Sequence, residues 1–222
     1  LTTINVGTVV VSGNVIIAGT GKKGVFKSNV DPINWVLTNT GLANINVNSV
    51  TCKGDDIVVA ATEYGVTVST NTGNTPVIRN NGLTDSLNVN DVEFAGNKLF
   101  ATTKLNGVFV SDDLGLNWVA QNTGLSNLNI KRLIYGNDRV YVIDSNGKLF
   151  QSNLDNLSWS VSESGLPSNA NVTSVAFYNN NLILGTLGNG VYIKHRDSLG
   201  WREFNSGLTN LDVTSVTYLD GK

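Results

Sequence analysis

Hydrolysis of a glycosidic bond needs two carboxyl groups facing one cavity, and their separation sets the stereochemical outcome. This sequence is thin in candidates. Its glutamates are Glu63, Glu93, Glu163 and Glu203, and four of its aspartates, Asp31, Asp113, Asp155 and Asp197, fall among turn residues. Asp91 stands out, because it lies two residues after Val89 in a short apolar run, at a phase held elsewhere by Thr8, Ser49, Arg132, Ser174 and Ser215. Asp91 and Arg132 therefore read as neighbouring charges that close a channel mouth or touch a ligand. One carboxylate without a second gives no hydrolytic centre.

Other chemistries have less to work with. A single histidine, His195, cannot supply a histidine-based zinc site, and a single cysteine, Cys52, cannot form an internal disulfide. His195 reads as a solvated turn residue and Cys52 as an inert thiol. No metal and no cofactor is expected. Fifteen basic and seventeen acidic residues give a net charge of -2 with no basic block, which leaves nucleic acid and anionic membrane without an electrostatic reason to bind. With 41% hydrophobic and 14% charged residues and no long apolar run, the 222 residues read as a globular chain without membrane insertion.

What positions these side chains is a repeat. Asn5-Val6, Asn46-Val47, Asn88-Val89, Asn129-Ile130, Asn171-Val172 and Asp212-Val213 recur at spacings of 41 or 42 residues, each ahead of an apolar run. A Gly-Leu pair keeps step with them, at Gly41, Gly82, Gly124, Gly165 and Gly207. Each period holds four short runs rich in Val, Ile, Thr and aromatics. In the third these are Val89 to Phe94, Lys98 to Thr103, Gly107 to Ser111 and Asn117 to Gln121. Asn106-Gly107, Asn146-Gly147 and Asn189-Gly190 separate the second run from the third, a pair suited to a tight antiparallel hairpin. The three prolines stay outside the runs.

Four antiparallel strands repeating near 41 residues predict an all-β chain, a β-propeller of five four-stranded blades over residues 1–222 as a single domain. The run after Asn-Val is the expected innermost strand. A sixth such strand, predicted at 213–218, has no partners in the sequence, so a fragment of a six- to eight-bladed ring is the alternative. An unpaired strand there would also invite self-association.

The turn from third to fourth strand carries a motif. Ser111, Asp113, Gly115 and Trp118 complete the pattern S-x-D-x-G-x-x-W. This resembles the Asp-box, or bacterial neuraminidase repeat, of sialidase-like propellers. Degenerate copies fall at the same phase: Asp31 with Trp35, Asp155 with Trp159, Asp197 with Trp201, and Ser69 with Asn71 and Gly73. Three of these set the aspartate one residue late, and Pro76 replaces the tryptophan in the second repeat. The resemblance implies structural roles for the aspartates and tryptophans. It also admits a sialidase-like or endoglucanase-like hydrolase as an alternative, because families with this repeat include such enzymes as well as sorting receptors and an assembly factor. The sialidase arginine triad has no counterpart, since Arg79, Arg132, Arg139, Arg196 and Arg202 do not occupy matching positions.

The remaining candidates lie on the rim opposite the motif turns. Asn44 with Asn46, Asn127 with Asn129, and Asn169 with Asn171 lead into the innermost strands. Tyr64 joins them from a second-to-third-strand turn. Together with Asp91 and Arg132 they form the expected ligand-binding set. The function read from the sequence is a non-catalytic module that binds protein or carbohydrate through this rim, or else a structural element of a surface assembly. Low charge and abundant Asn, Thr, Ser and Gly suggest an extracellular or cell-surface setting.

Overall fold

Alternating apolar residues between turn residues produce twenty β-strands in the computed structural model, which describes residues 4–83 and 87–217. The first sheet holds β1 (Val6–Ser12), β2 (Val15–Thr20), β3 (Gly24–Asn29) and β4 (Val36–Leu37). The second holds β5 (Val47–Lys53), β6 (Ile57–Thr62), β7 (Gly65–Ser69) and β8 (Val77–Ile78), and the third β9 (Val89–Ala95), β10 (Lys98–Thr103), β11 (Val108–Ser111) and β12 (Val119–Ala120). The fourth comprises β13 (Ile130–Gly136), β14 (Arg139–Asp144), β15 (Leu149–Asn153) and β16 (Ser160–Val161). The fifth comprises β17 (Asn171–Tyr178), β18 (Asn181–Leu187), β19 (Gly190–His195) and β20 (Arg202–Glu203). In each sheet the strands follow in chain order, four abreast, and every pairing described is antiparallel. No helix among the described residues is long and apolar enough to cross a membrane.

The chain divides into two compact units, Leu1–Asn122 with Leu128–Leu133, and Thr123–Asn127 with Ile134–Lys222. In the first, Val59, Val66 and Val68 of the second sheet pack with Val89, Val92, Leu99, Phe109 and Trp118 of the third. In the second, Tyr141, Ile143 and Leu149 pack with Val172, Leu182, Leu184, Tyr192 and Trp201. Sheets buried on both faces explain why the middle strands are apolar almost without alternation.

Successive sheets are joined by a repeated contact. Gly82 has φ +91°, a conformation side chains resist, and a Cβ there would collide with the Trp118 carbonyl oxygen. The same approach recurs from Gly41 to Pro76, Gly124 to Trp159 and Gly165 to Trp201. Beside it, the backbone N–H of Trp118 donates to Asn81 O, that of Trp159 to Thr123 O and that of Trp201 to Ser164 O, at 2.7–2.9 Å. Pro76 has no N–H to give. The Gly-Leu phrase of the sequence is thus a docking point for the following sheet.

Three sequence expectations need correction. The fourth strands are two residues long, because the chain from Asn117 to Trp118 is still engaged in the turn. In the Asn-Gly hairpins only the glycine takes a positive φ, as at Gly107 (φ 79°). The turn at Asn106-Gly107 is closed by a buried threonine, Thr103 Oγ1 donating to Gly107 O and accepting from Asn106 N, and that at Asn146-Gly147 by the buried Asp144, which accepts from Asn146 N and Lys148 N. Thr20, Thr62 and Thr186 repeat the first of these bonds. Residues 213–217, expected to open an extra innermost strand, carry no strand pairing but are held by Val213 N to Thr186 O and Val216 N to Ser174 Oγ, both 2.9 Å. Tyr218 lies outside the described residues.

Candidate functional site

The rim formed by the β2–β3-type turns and the connections into the innermost strands is built on a rigid frame. In the third sheet, Asn122 Oδ1 accepts from Val108 N and Asn122 Nδ2 donates to Asn106 O, so one amide clamps both sides of the hairpin. Asn39, Asn80 and Asn205 do the same for their sheets. In the fourth sheet Glu163 takes the position and accepts from Leu149 N. The sequence reading missed these residues. Their signal was available, since each sits two positions before the Gly-Leu phrase, as in Asn122-Thr123-Gly124-Leu125.

The connections complete the frame. Ile45 O, Leu128 O and Leu211 O accept from the turn glycines Gly24, Gly107 and Gly190 at 2.8–2.9 Å. With the backbone so engaged, the middle residue of Asn44-Ile45-Asn46, Asn127-Leu128-Asn129 and Asn210-Leu211-Asp212 turns its apolar side chain to solvent, while Ala170 in the fourth such phrase is half-buried. Ile45, Leu128 and Leu211 are all exposed, as are Tyr64 (59%) and Leu105 (63%) in the neighbouring turns. Lys22, Lys23 and Lys104 are exposed on the same rim.

The expected ligand-binding residues separate into three groups. Asn44 Oδ1 caps the backbone N–H of Asn46, Asn46 Nδ2 donates to Glu63 at 2.8 Å, and Asn127 Nδ2 donates to Ser145 at 3.0 Å. These amides tie loops together. Asn169, Asn171 and Tyr64 are exposed, and Asn129 is half-buried. Asp91 and Arg132 belong to the innermost strands and behave differently from each other.

Asp91 follows a bulge in β9 at Asn90, and the same irregularity recurs in β1, β5 and β17. The bulge aims two side chains at the next innermost strand. Asn90 Nδ2 donates to Ile130 O at 2.7 Å, and Asp91 Oδ2 accepts from Leu133 N at 2.9 Å, while Asp91 Oδ1 accepts from Val92 N. Thr173 to Val213 O with Ser174 accepting from Val216 N is the same pair of bonds, and its halves recur singly elsewhere, Asn48 of β5 donating to Val89 O and Thr8 of β1 accepting from Val50 N. Asp91 is therefore a latch between strands, and both its oxygens are engaged. Arg132 is exposed and influences Asp91 only through its charge.

Glu93, two residues along the same strand face, is the carboxylate the sequence reading passed over. Burial, and next the neighbouring Asp91 carboxylate, push its pKa up to about 7, against the hydrogen bonds from Phe94 and Thr51. Burial also raises Asp91. Among the described residues no group of three or more metal-ligating side chains converges.

On the opposite rim the motif turns differ from sheet to sheet. In the third, Ser111 Oγ donates to Asp113 and accepts from Gly115 N, and Asp113 accepts from the backbone and side chain of Asn117. Hydrogen bonds from Asn117 and then Ser111 hold the Asp113 carboxyl down at about 2. In the second sheet Asn71 stands in the aspartate's place and makes the corresponding bonds to Ser69 and Thr75. In the first and fourth, Ser28 accepts from Asn34 N and the Ser152 hydroxyl faces backbone carbonyls, while Asp31 and Asp155 take no turn hydrogen bond among the described residues. Asp197 approaches Arg196 and His195 instead, at 3.6 and 3.7 Å. Trp118, Trp159 and Trp201 are buried, with the Trp118 and Trp201 indoles donating to Arg79 O and Ser162 O. Trp35 is half-buried.

By sequence the chain matches no family model and no curated protein. Solved structures do match. An ancestral GH74 enzyme superposes with a TM-score of 0.75 at 20% identity, over 94% of this chain and 32% of that one. The chain thus spans about a third of that enzyme. YCF48 bound to D1 peptide gives 0.71 at 14% identity, over 91% of this chain and 69% of that one. PorZ, a bacterial surface component of the type-IX secretion system of Porphyromonas gingivalis, gives 0.69 at 15%, over 91% and 28%. The fold is a β-propeller, with five four-stranded antiparallel blades. At these identities the likeness extends to architecture alone, and activity has to be argued from the site.

Proposed function

We propose that this propeller is a non-catalytic recognition module that takes an extended protein segment across the rim carrying Ile45, Tyr64, Leu105 and Leu128. The observation behind this is the exposure of one apolar side chain after another on turns and connections tied to one another by hydrogen bonds such as Gly24 N to Ile45 O and Gly107 N to Leu128 O. Exposed apolar groups on a rigid frame bind with little ordering cost, and aromatic anchors of this kind dominate protein interfaces. The asparagines between them add hydrogen-bonding groups for a peptide backbone or for carbohydrate hydroxyls. YCF48, a propeller of like fold, is known with a bound peptide, which supports this class of partner. The likeness to a surface component of a secretion system supports an extracellular setting. On this reading the third-to-fourth-strand turns are Asp-boxes with a structural role.

Selection of a phage-displayed peptide library on the immobilised chain tests the proposal. Enriched peptides should lose binding to a Tyr64→Ser, Leu105→Ser double variant, and selection of no peptide would count against the rim. The enzyme reading rests on Asp91 and Glu93 as a coupled carboxylate pair and on the likeness to a GH74 enzyme. Both Asp91 oxygens serve the backbone, so the pair offers one available carboxyl where hydrolysis needs two. Release of reducing ends from a polysaccharide panel, abolished by Glu93→Gln, would establish that reading instead.

A further inference from the structure

The second compact unit holds a cluster of cations that the peptide rim leaves unexplained. Tyr141 of β14 and Tyr192 of β19 belong to the same buried cluster. Side chains two residues apart share a strand face. Arg139 lies two residues before Tyr141 on β14, Lys194 two after Tyr192 on β19, and Arg196 follows Lys194 by two more. These three line one cleft of about 330 Å³ with Gln151, Asp197, Ser198 and Leu199.

The charges in this cleft are unbalanced. Arg139 and Lys194 make no salt bridge and no side-chain hydrogen bond among the described residues, and both are half-buried. Lys194 lies 5.9 Å from the Trp201 ring. Burial first, and then the charge of Arg139, push the Lys194 pKa down, as expected for two cations sharing a site without an anion. Arg196 approaches Asp197 at 3.6 Å and Asp138 at 4.0 Å, too far for a hydrogen bond, and both carboxylates are largely exposed. Three cations thus face one lining carboxylate, in a chain whose net charge is -2.

We infer that this cleft is a binding site for a tetrahedral oxyanion, a sulfate or phosphate group, gripped by Arg139, Lys194 and Arg196. The planar guanidinium forks suit paired oxygens, and the ammonium supplies a point charge. The Gln151 amide and the Ser198 hydroxyl stand beside them for the hydroxyls of an attached sugar. The site lies on the rim of the motif turns and is independent of the peptide-binding proposal.

Calorimetric titration of the intact chain with sodium sulfate, sodium phosphate, glucose 6-sulfate and glucose 6-phosphate at constant ionic strength tests the assignment. Saturable binding of at least one oxyanion is expected, weakened about tenfold or more by Arg139→Gln and by Lys194→Gln. Leu199→Glu, at a position 93% exposed and so harmless to folding, places a carboxylate at the cleft and should also weaken binding. Lys23→Gln, on the other rim, should leave it unchanged. Tighter binding of the sugar esters than of the inorganic ions identifies the source as a sulfated or phosphorylated glycan. Equal binding identifies a free ion. Absence of saturation with all four probes, or equal binding by wild type, Arg139→Gln and Leu199→Glu, overturns the site.

Discussion

The turns of the third and fourth blades begin alike and end alike, yet are held by different forces. Ser111 to Trp118 and Ser152 to Trp159 share the leading serine and the closing tryptophan, and both indoles are buried, at 4% and 3% exposure. In the third blade Asp113 organises the loop through three hydrogen bonds. In the fourth, Asp155 sits one residue later, and the serine hydroxyl turns to backbone carbonyls. The tryptophan reaches its place in both cases because its backbone N–H and carbonyl dock on the Gly-Leu segment before it. The carboxylate shapes the turn, and the backbone dock seats the tryptophan.

The dock should therefore carry the largest effect. Gly82→Ala introduces a side chain at φ +91° against the Trp118 carbonyl, and Trp118→Ala empties the core cluster of the first unit. Each should cost about 3–5 kcal/mol in denaturant unfolding. Trp159→Ala should cost as much, despite the altered turn, and a much smaller loss there would separate the two blades after all.

Glu93 extends the comparison to a carboxylate whose surroundings act in the opposite direction. Its folded-state pKa of about 7 lies above the unfolded value of 4.5, so its contribution is fully present below about pH 4.5 and is lost as pH rises through 7. Glu93→Gln should remove that slope and stabilise the chain at pH 8 by about 3 kcal/mol. Thermal melts of both proteins between pH 4 and pH 8 measure it, and parallel curves would refute it.

Asp113 has the reverse sign. Its pKa of about 2 lies below the ordinary 3.8, so its support is present above pH 4 and fades as pH falls toward 2. Asp113→Ala should lower the melting temperature, and Asp113→Asn should keep most of it while removing the acid dependence, because Asn71 already makes the same turn in the second blade. The smallest effect belongs to Asp155→Ala. An unchanged melting temperature is expected there, and a drop equal to that of Asp113→Ala would show hidden work by the offset aspartate.

Much of the fold was legible because a 41-residue period repeats its apolar phases five times, and repeated burial imposes repeated residue types. The Asn-Val, Gly-Leu and Trp positions each proved to be a fixed station of the blade. The clamp asparagines Asn39, Asn80, Asn122 and Asn205 were legible in principle, since they share one phase, but asparagine is so common here that its periodic copies were masked by the rest. Asp91 was legible as a departure from Thr8, Ser49 and Ser174 at the same phase. What it does was hidden, because Thr8 and Ser174 perform the same latch with hydroxyls, and a sequence does not reveal that a carboxylate oxygen and a hydroxyl oxygen accept equivalent bonds.

The sequence by itself determined the four-stranded repeat, the antiparallel order within each sheet and the stations at which sheets dock, because all of these follow from local periodicity and turn chemistry. Tertiary structure alone decided which charges end up unpaired. Arg139 and Lys194 are 55 positions apart and meet only because the fold brings β14 and β19 to one cleft. Likewise Tyr64 and Leu105 became a candidate surface only once their side chains were seen to stand 59% and 63% exposed on hairpin turns clamped by Asn80 and Asn122. Electrostatic environment depends on distance in space, and for these residues the chain order carries no trace of it.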